Sequence, residues 1–405
     1  MMVAGITGRV GLAWEQRLLE ELAKGSDLLP LGVLGQQFVV RWGPGVSWQQ
    51  RVSIRSAWAR CISTGEPQLP SVPPEPMPGS RFTASVTSTS AKHSAATFQL
   101  AAGSFEELAE NLTSRLTVTA IMANAGELTM LHACGVADPA TGAVVALVAK
   151  SGTGKTTAAS VLARTYGYVT DETVAIAWDG SVVPYPKPLS VKQEAGTPKR
   201  QASPDEFGLQ QAPALPYIQS IVLLNRIEGA RHTAPVLERV PLADAVLALI
   251  PDSSSQAEVV DPLQSLCRLI ESVGGVWQVT YSEAADLPSA LESLFRLQSA
   301  AQTQWAPAAA TTVQQAQIPA GCIRHTTPQD AVSIAGDLLV MLDSQVVRLS
   351  GIGPAIWEAC ANPVSLDGIT TYVGSVHGKP EGYREAVAGA VEQLVAKSIL
   401  ERASN

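Results

Sequence analysis

Four side chains at two short spacings could move a phosphoryl group: Lys155 and Thr156 together, then Asp171 and Glu172 side by side, fifteen residues beyond Thr156. Lys155 sits in the run Ala149-Lys150-Ser151-Gly152-Thr153-Gly154-Lys155-Thr156-Thr157. Small residues in such a run let backbone N–H groups converge on a triphosphate. A lysine there reaches the β- and γ-phosphates, and the following threonine hydroxyl sits on Mg²⁺. Adjacent carboxylates close by have two uses. One holds Mg²⁺, directly or through water, and the other orients or deprotonates an attacking hydroxyl.

These residues need a strand, a turn and a helix to position them. The apolar run Ala143-Val144-Val145-Ala146-Leu147-Val148 reads as the strand, and Thr156 to Arg164 reads as the helix, its positive N-terminal end toward the phosphates. The strict G-x-x-x-x-G-K-S/T form is broken once, where Ala149 stands for glycine. A chance Gly-Ser-Thr turn is the competing explanation, and the strand before and helix after it argue against that. The predicted phosphate-contacting residues are therefore Lys150, Ser151, Gly152, Thr153, Gly154, Lys155, Thr156 and Thr157. Downstream, Gly167 is placed to end the helix. Val169, then Val174 and Ile176, should carry the chain back as a strand with Asp171 and Glu172 near the loop. A solvated acidic turn is the bland alternative for that pair.

Three segments together resemble the HPr kinase/phosphorylase family, whose phosphate loop is of the phosphoenolpyruvate-carboxykinase type: Leu131-His132-Ala133, Lys150 to Thr156, and Gly167-Tyr168-Val169-Thr170-Asp171-Glu172. The resemblance covers roughly residues 115 to 290. It implies an ATP- and Mg²⁺-dependent kinase with His132, Asp171 and Glu172 around the γ-phosphate, and with Thr156, Glu172 and Asp171 as the metal side. On its own, His132 in an apolar neighbourhood reads as a core or strand-edge histidine. The chain departs from the family in two ways. Its acidic pair is Asp-Glu rather than Asp-Asp, and the downstream Arg- and Gly-rich signature is replaced by Pro184-Tyr185-Pro186-Lys187-Pro188-Leu189-Ser190-Val191-Lys192-Gln193. HPr is thus not the expected substrate. Lys187, Lys192, Arg226 and Arg231 are all candidates for the second cation that phosphoryl transfer requires, and ATP and GTP are not separated. The family's hexamers imply a homo-oligomer.

The last ninety or so residues read as a unit of their own. Gly336 to Asp343 and Val346 to Leu349 form a hairpin around Asp343-Ser344-Gln345, a helix runs over Ser350 to Cys360, and a final helix over about Tyr383 to Lys397. Two strands, then a helix opening on Ile356-Trp357, are similar to the PqqD-like domains, winged-helix-type elements that recognise precursor peptides; the resemblance covers residues 322 to 403. It implies that Leu338 to Leu349 and the final helix grip a leader peptide as an added strand. An ordinary winged-helix packing module is the alternative. DNA binding is disfavoured: residues 318–405 carry six Lys and Arg against nine Asp and Glu, with no basic stripe.

Composition sets the outer limits. The 405 residues carry a net charge of −8, are 46% hydrophobic, and suffice for two or three domains. The expected fold is α/β. A β-rich N-terminal lobe (1–115) precedes a phosphate-loop core with a mixed sheet (116–298), a linker rich in Ala, Gln and Thr (299–317), and a small PqqD-like α+β domain (318–405). In the lobe, Leu12 to Leu22 reads as a helix, Phe38 to Trp42 as a strand, and Glu66 to Pro78 as a loop. Arg81 to Thr87 and Ala96 to Leu100 should pair as a hairpin, and Ser104 to Leu108 should open a helix with a capping box. Trp14, Trp42, Trp48 and Trp58 read as core or lobe interface, and Glu194 to Pro216 as a flexible region over the nucleotide. Five scattered cysteines and five isolated histidines give no disulfide framework or zinc spacing. With no signal peptide and no membrane-length apolar run, the expectation is a cytoplasmic protein.

Three functions fit these features. One is an ATP-dependent kinase of a Ser or Thr on a ribosomally made precursor peptide held by the C-terminal domain. Another is a kinase of a small metabolite or carrier protein. The third is an ATP-binding organiser of a peptide-maturation complex that transfers nothing.

Overall fold

The computed structural model describes residues 27–63, 79–88, 97–150, 153–194, 196–227, 233–296, 305–308 and 318–403. Outside them fall Leu12 to Leu22, Trp14, Glu66 to Pro78, Ser151, Gly152, Arg231 and most of 299–317. The chain divides into two compact units, Met1–Val236 with Val279–Arg296, and Leu237–Gln278 with Leu297–Asn405. The division differs from the expected 116–298 domain, because residues 237–278 group with the C-terminal segment.

The first unit opens with an antiparallel meander of β1 (Leu28–Val33), β2 (Gln36–Trp42), β3 (Phe82–Ser88) and β4 (Thr97–Ala102). Between β2 and β3 lies α1 (Trp48–Ala57), opened by a reciprocal capping box between Ser47 and Gln50. After β4 comes α2 (Phe105–Ala123), which buries Leu108, Leu112 and Leu116 in one core with Phe38, Val40 and Val86. The cap of α2 differs from the expected box. Ser104 accepts from Glu107 N–H at 3.1 Å, but Glu107 Oε2 takes Gly103 N–H at 3.0 Å. Trp42 and Trp58 are buried in this core as expected, whereas Trp48, on the first turn of α1, is half exposed.

The rest of the unit is built on a mixed sheet. The strands of this part, divided between that sheet and smaller antiparallel ones, are β5 (Thr129–Leu131), β6 (Ala133–Ala137), β7 (Ala143–Val148), β8 (Gly167–Thr170), β9 (Val174–Ile176), β10 (Val182–Val183), β11 (Leu189–Val191), β12 (Arg200–Ala202), β13 (Gln210–Gln211) and β14 (Tyr217–Arg226). In the main sheet β6 lies antiparallel between β7 and β8, β14 runs parallel to β7, and β13 parallel to β8. Every residue of β6 and β7 is buried, as a central strand covered on both faces requires. Beside it β5, β9 and β10 form antiparallel pairs.

Two local readings change. The helix after the phosphate loop, α3 (Lys155–Leu162), is capped at Ala163, and Gly167 instead opens β8. A Cβ on Gly167 would stand 2.6 Å from the Gln211 carbonyl, so only glycine lets β13 approach this closely. The Glu194 to Pro216 stretch contains β12, a short 3-10 turn at Pro204–Phe207 and β13, and Arg60 ties it down through Asp205 and the Leu209 and Gln210 carbonyls. Its strands have two or three residues, too short for a periodic signal.

In the second unit, strands Trp305–Pro307, Asp330–Ile334, Asp337–Leu342 and Gln345–Leu349 form an antiparallel sheet in that order. The first lies inside the stretch read as linker. The expected hairpin turns at Asp343 and Ser344, both with positive φ. Helices Gly353–Ala359, Leu366–His377 and Tyr383–Ala396 follow, the middle one not foreseen. They share a core of Ile356, Ile369, Val373, Val387 and Val391 with strands Cys322–His325 and Leu400–Arg402. Buried Asp330 joins the unit's two segments: its Oδ2 accepts the Leu263 and Gln264 N–H groups at 2.8 and 2.9 Å, at the start of helix Pro262–Ser272. That aspartate takes the cap role across 66 residues of sequence.

Candidate nucleotide-phosphate site

Register brings the predicted residues to one end of the main sheet. Val148 ends β7, Ala133 pairs with it across β6, and Leu223 pairs with it across β14. His132 therefore adjoins the start of the loop, between β5 and β6. Leu131 pairs with Val174 and Gly135 with Thr170. The bend at His132 thus faces the bend Asp171-Glu172-Thr173, which divides the single strand expected there into β8 and β9. Thr170 Oγ1 shapes that bend by accepting the Glu172 and Thr173 N–H groups at 3.2 and 3.3 Å.

The loop itself turns into α3 at Gly154, whose φ of 96° is a left-handed conformation that glycine adopts without penalty. Thr153 Oγ1 donates to the Lys150 carbonyl at 2.6 Å, and the Lys155 ammonium donates to the Ala149 carbonyl. Lys155 is buried, while Lys150, Thr153, Thr156 and Thr157 are exposed. Ser151 and Gly152 lie outside the described residues.

Asp171 is the hub. Its Oδ2 accepts from Thr156 Oγ1 at 3.3 Å, so the first turn of α3 touches the acidic bend. Its Oδ1 accepts from Tyr168 OH at 2.9 Å and lies 2.9 Å from Lys187 Nζ. The same ammonium reaches Glu172 Oε2 at 3.2 Å and the Pro188 carbonyl at 3.3 Å. Lys187 is 3% exposed and Asp171 7%, whereas the Glu172 side chain is 36% exposed. Burial alone would lower the lysine's pKa, but Asp171 and Glu172 more than offset it, and the net shift is upward. Burial, then the charge of Asp171, pushes the Tyr168 phenol well up, so it stays a donor.

Lys187 arrives by a docked backbone rather than a regular element. Tyr185 N–H donates to the Val169 carbonyl at 3.0 Å, and the buried Tyr185 hydroxyl pairs with Thr117 Oγ1 of α2 at 2.7 Å. Two residues on, Lys187 points at the carboxylates. Among the other predicted cations, Lys192 is exposed beyond β11 and Arg231 lies outside the described residues. Arg226 ends β14 with its Nε donating to the Ser282 carbonyl at 3.3 Å. His132 is half-buried, and among the described residues no hydrogen bond joins it to Asp171 or Glu172. Tyr168 was missed by sequence reasoning; its place three residues before Asp171, on a fully buried strand, was the available signal.

The oxygens of Thr156, Asp171 and Glu172 suit a hard cation such as Mg²⁺, which keeps most of its waters and takes few protein ligands. No group of three His, Cys, Asp or Glu able to hold a metal occurs among the described residues. Burial pushes the Cys134 and Cys61 thiols up to about 12, leaving neither as a nucleophile.

No protein-family model matches the chain, and no curated protein does. Among solved structures it is similar to the HPr(Ser) kinase/phosphatase from Coxiella burnetii, at 13% identity and a TM-score of 0.22, over 41% of this chain and 93% of that one. At that score the likeness adds nothing to the site's own geometry.

Proposed function

We propose that this chain is a cytoplasmic, ATP- and Mg²⁺-dependent phosphotransferase that moves the γ-phosphate to a Ser or Thr hydroxyl. The observation that carries the reading is the division of labour at Asp171, whose Oδ1 is held by Tyr168 and Lys187 while Oδ2 meets the Thr156 hydroxyl. Thr156 and Asp171 would hold Mg²⁺, which would shield the charge of the β- and γ-phosphates. Lys155 would move from the Ala149 carbonyl to the γ-phosphate. Glu172 is the more exposed carboxylate, and it is the base in this assignment. The acceptor oxygen bonds to the γ-phosphorus, the bond to the β–γ bridging oxygen breaks, ADP leaves, and the hydroxyl proton passes to Glu172. His132, at the opposing bend, would lie beside the acceptor.

The acceptor in this reading is a ribosomally made precursor peptide. Support comes from the C-terminal sequence pattern and from strand Gln345–Leu349, which among the described residues is the last strand of its sheet, the position at which a peptide strand could add. Holding the peptide there would raise its concentration at the γ-phosphate. The test is transfer from γ-labelled ATP with Mg²⁺ to the short peptides encoded beside the gene, with Asp171→Ala as control. Label on a peptide, lost in the control and weakened by deleting residues 318–405, supports the reading. Label on a small molecule or carrier moves the acceptor. Binding without any transfer overturns the kinase assignment in favour of an organising role.

A further inference from the structure

Resting on that phosphotransferase reading, we infer that Arg226 is the second cation of the site, the one that contacts the transferring phosphoryl group. Of the four cations that compete in the sequence, Lys187, Lys192 and Arg226 lie among the described residues, and their surroundings separate these three. The ammonium of Lys187 is shared between Asp171 at 2.9 Å and Glu172 at 3.2 Å, and it is 3% exposed, so its charge is already matched and cannot swing out to a ligand. It positions the carboxylates instead. Lys192 is an exposed residue beyond β11 and, among the described residues, no hydrogen bond or ion pair joins it to the loop.

Arg226 is placed differently. Strand β14 runs parallel to β7, and Leu223 lies beside Val148, so both strands end at the same edge of the sheet. Arg226 is three residues beyond that register, at the end of the sheet from which the phosphate loop leaves β7. Its Nη1 stands 4.0 Å from the point a Cβ on Gly154 would occupy. Gly154 is the N-cap of α3, so the guanidinium lies over the turn from which Lys155 and the first helical N–H groups emerge.

The contacts that exist leave this group ready for a phosphate. Nε donates to the Ser282 carbonyl at 3.3 Å, which fixes the plane of the guanidinium without neutralising it. Among the described residues no carboxylate pairs with Arg226, and the residue is exposed. An unneutralised guanidinium anchored at one edge presents its remaining N–H donors as a fork, the geometry that suits a phosphoryl group. In phosphoryl transfer the charge spreads over the equatorial oxygens of the moving group, and an arginine supplied from the same chain stabilises it there.

Calorimetric titration with MgADP, and with MgADP plus aluminium fluoride as a mimic of the transferring group, tests this on the full chain. Wild type should bind the fluoride complex more tightly than MgADP. In Arg226→Gln the MgADP affinity should stay within about twofold, while the fluoride-complex affinity should fall by about tenfold or more, and ATP turnover by about 10³-fold. Arg226→Lys should fall between the two. Equal losses for both ligands would overturn the inference, because they would mean that Arg226 only orders the loop. No loss for either, or no preference of wild type for the fluoride complex, would overturn it as well. If wild type binds neither ligand, the phosphotransferase reading itself is overturned and this inference goes with it.

Discussion

Lys187 Nζ stands 2.9 Å from Asp171 Oδ1, and both side chains are almost wholly shut off from water. A buried ion pair of this kind gains its attraction at the expense of desolvating both charges, so its balance depends on the remaining partners. Here the partners are Tyr168 on Asp171, and Glu172 and the Pro188 carbonyl on Lys187. The ammonium holds the two neighbouring carboxylates in one place.

Removing the ammonium therefore should cost far more than one contact. Lys187→Met leaves Asp171 buried without its cation, and urea unfolding should show a loss of about 3–5 kcal/mol. Adding Asp171→Asn should restore part of it. A Lys187→Met protein as stable as wild type would mean that the two charges contribute nothing jointly.

The pH dependence has a definite sign. The folded pKa of Lys187 is raised above its ordinary 10.5, so the folded state keeps a proton that the unfolded chain releases. Its contribution is complete at neutral pH and is lost as pH rises from 10.5 through the folded value. Urea midpoints should fall more steeply above that pH in wild type than in Lys187→Met, with no difference in slope between pH 7 and 9.

Tyr168→Phe removes one donor to a charged acceptor while leaving the ring's packing. The expected loss is about 1.5–3 kcal/mol in urea unfolding. Because Asp171 Oδ1 is then held by Lys187 alone, the Mg²⁺ requirement for nucleotide binding should rise too. An unchanged Mg²⁺ titration would separate Tyr168 from the metal side of the site.

Thr156 is exposed and its hydroxyl makes one long hydrogen bond to Asp171, at 3.3 Å, so its loss should cost about 0.5–1.5 kcal/mol of stability. Thr156→Ala should nonetheless weaken Mg²⁺-dependent nucleotide binding by about tenfold or more, and Thr156→Ser should retain it. Calorimetric titration with MgADP and with ADP in chelator reads the difference. Equal effects in both would place Thr156 outside the metal's reach.

In the second unit, Asp330→Ala frees the Leu263 and Gln264 N–H groups and should lower stability by about 0.5–2 kcal/mol, with Asp330→Asn recovering part. Thermal unfolding of the full chain checks it. A neutral Asp330→Ala would show that water replaces the carboxylate at that helix start.

The strand–loop–helix around Lys155 was legible because its signals are local: β7 is an unbroken apolar run, and Gly154, Lys155 and Thr156 are adjacent. Asp171 and Glu172 were legible as a pair by their distance from that loop. Lys187 was only one cation among four, since the Pro-rich stretch around it has no periodicity. Its position follows from Tyr185 docking on Val169 and on Thr117, residues far apart in the chain. The helix of Asp330's partners shows the same limit. A cap is read from the residue just before a helix, and this one comes from 66 positions away.

What the sequence by itself determined is which residues could bind phosphate and carry acid–base chemistry, since residue type and short spacing fix those capacities. Only the tertiary structure decided which oxygen of Asp171 meets Thr156, that Lys187 is committed to the carboxylates, and that Arg226 lies over Gly154. Those relations depend on strand register and on backbone docking between distant segments, and neither is encoded within any single window of the chain.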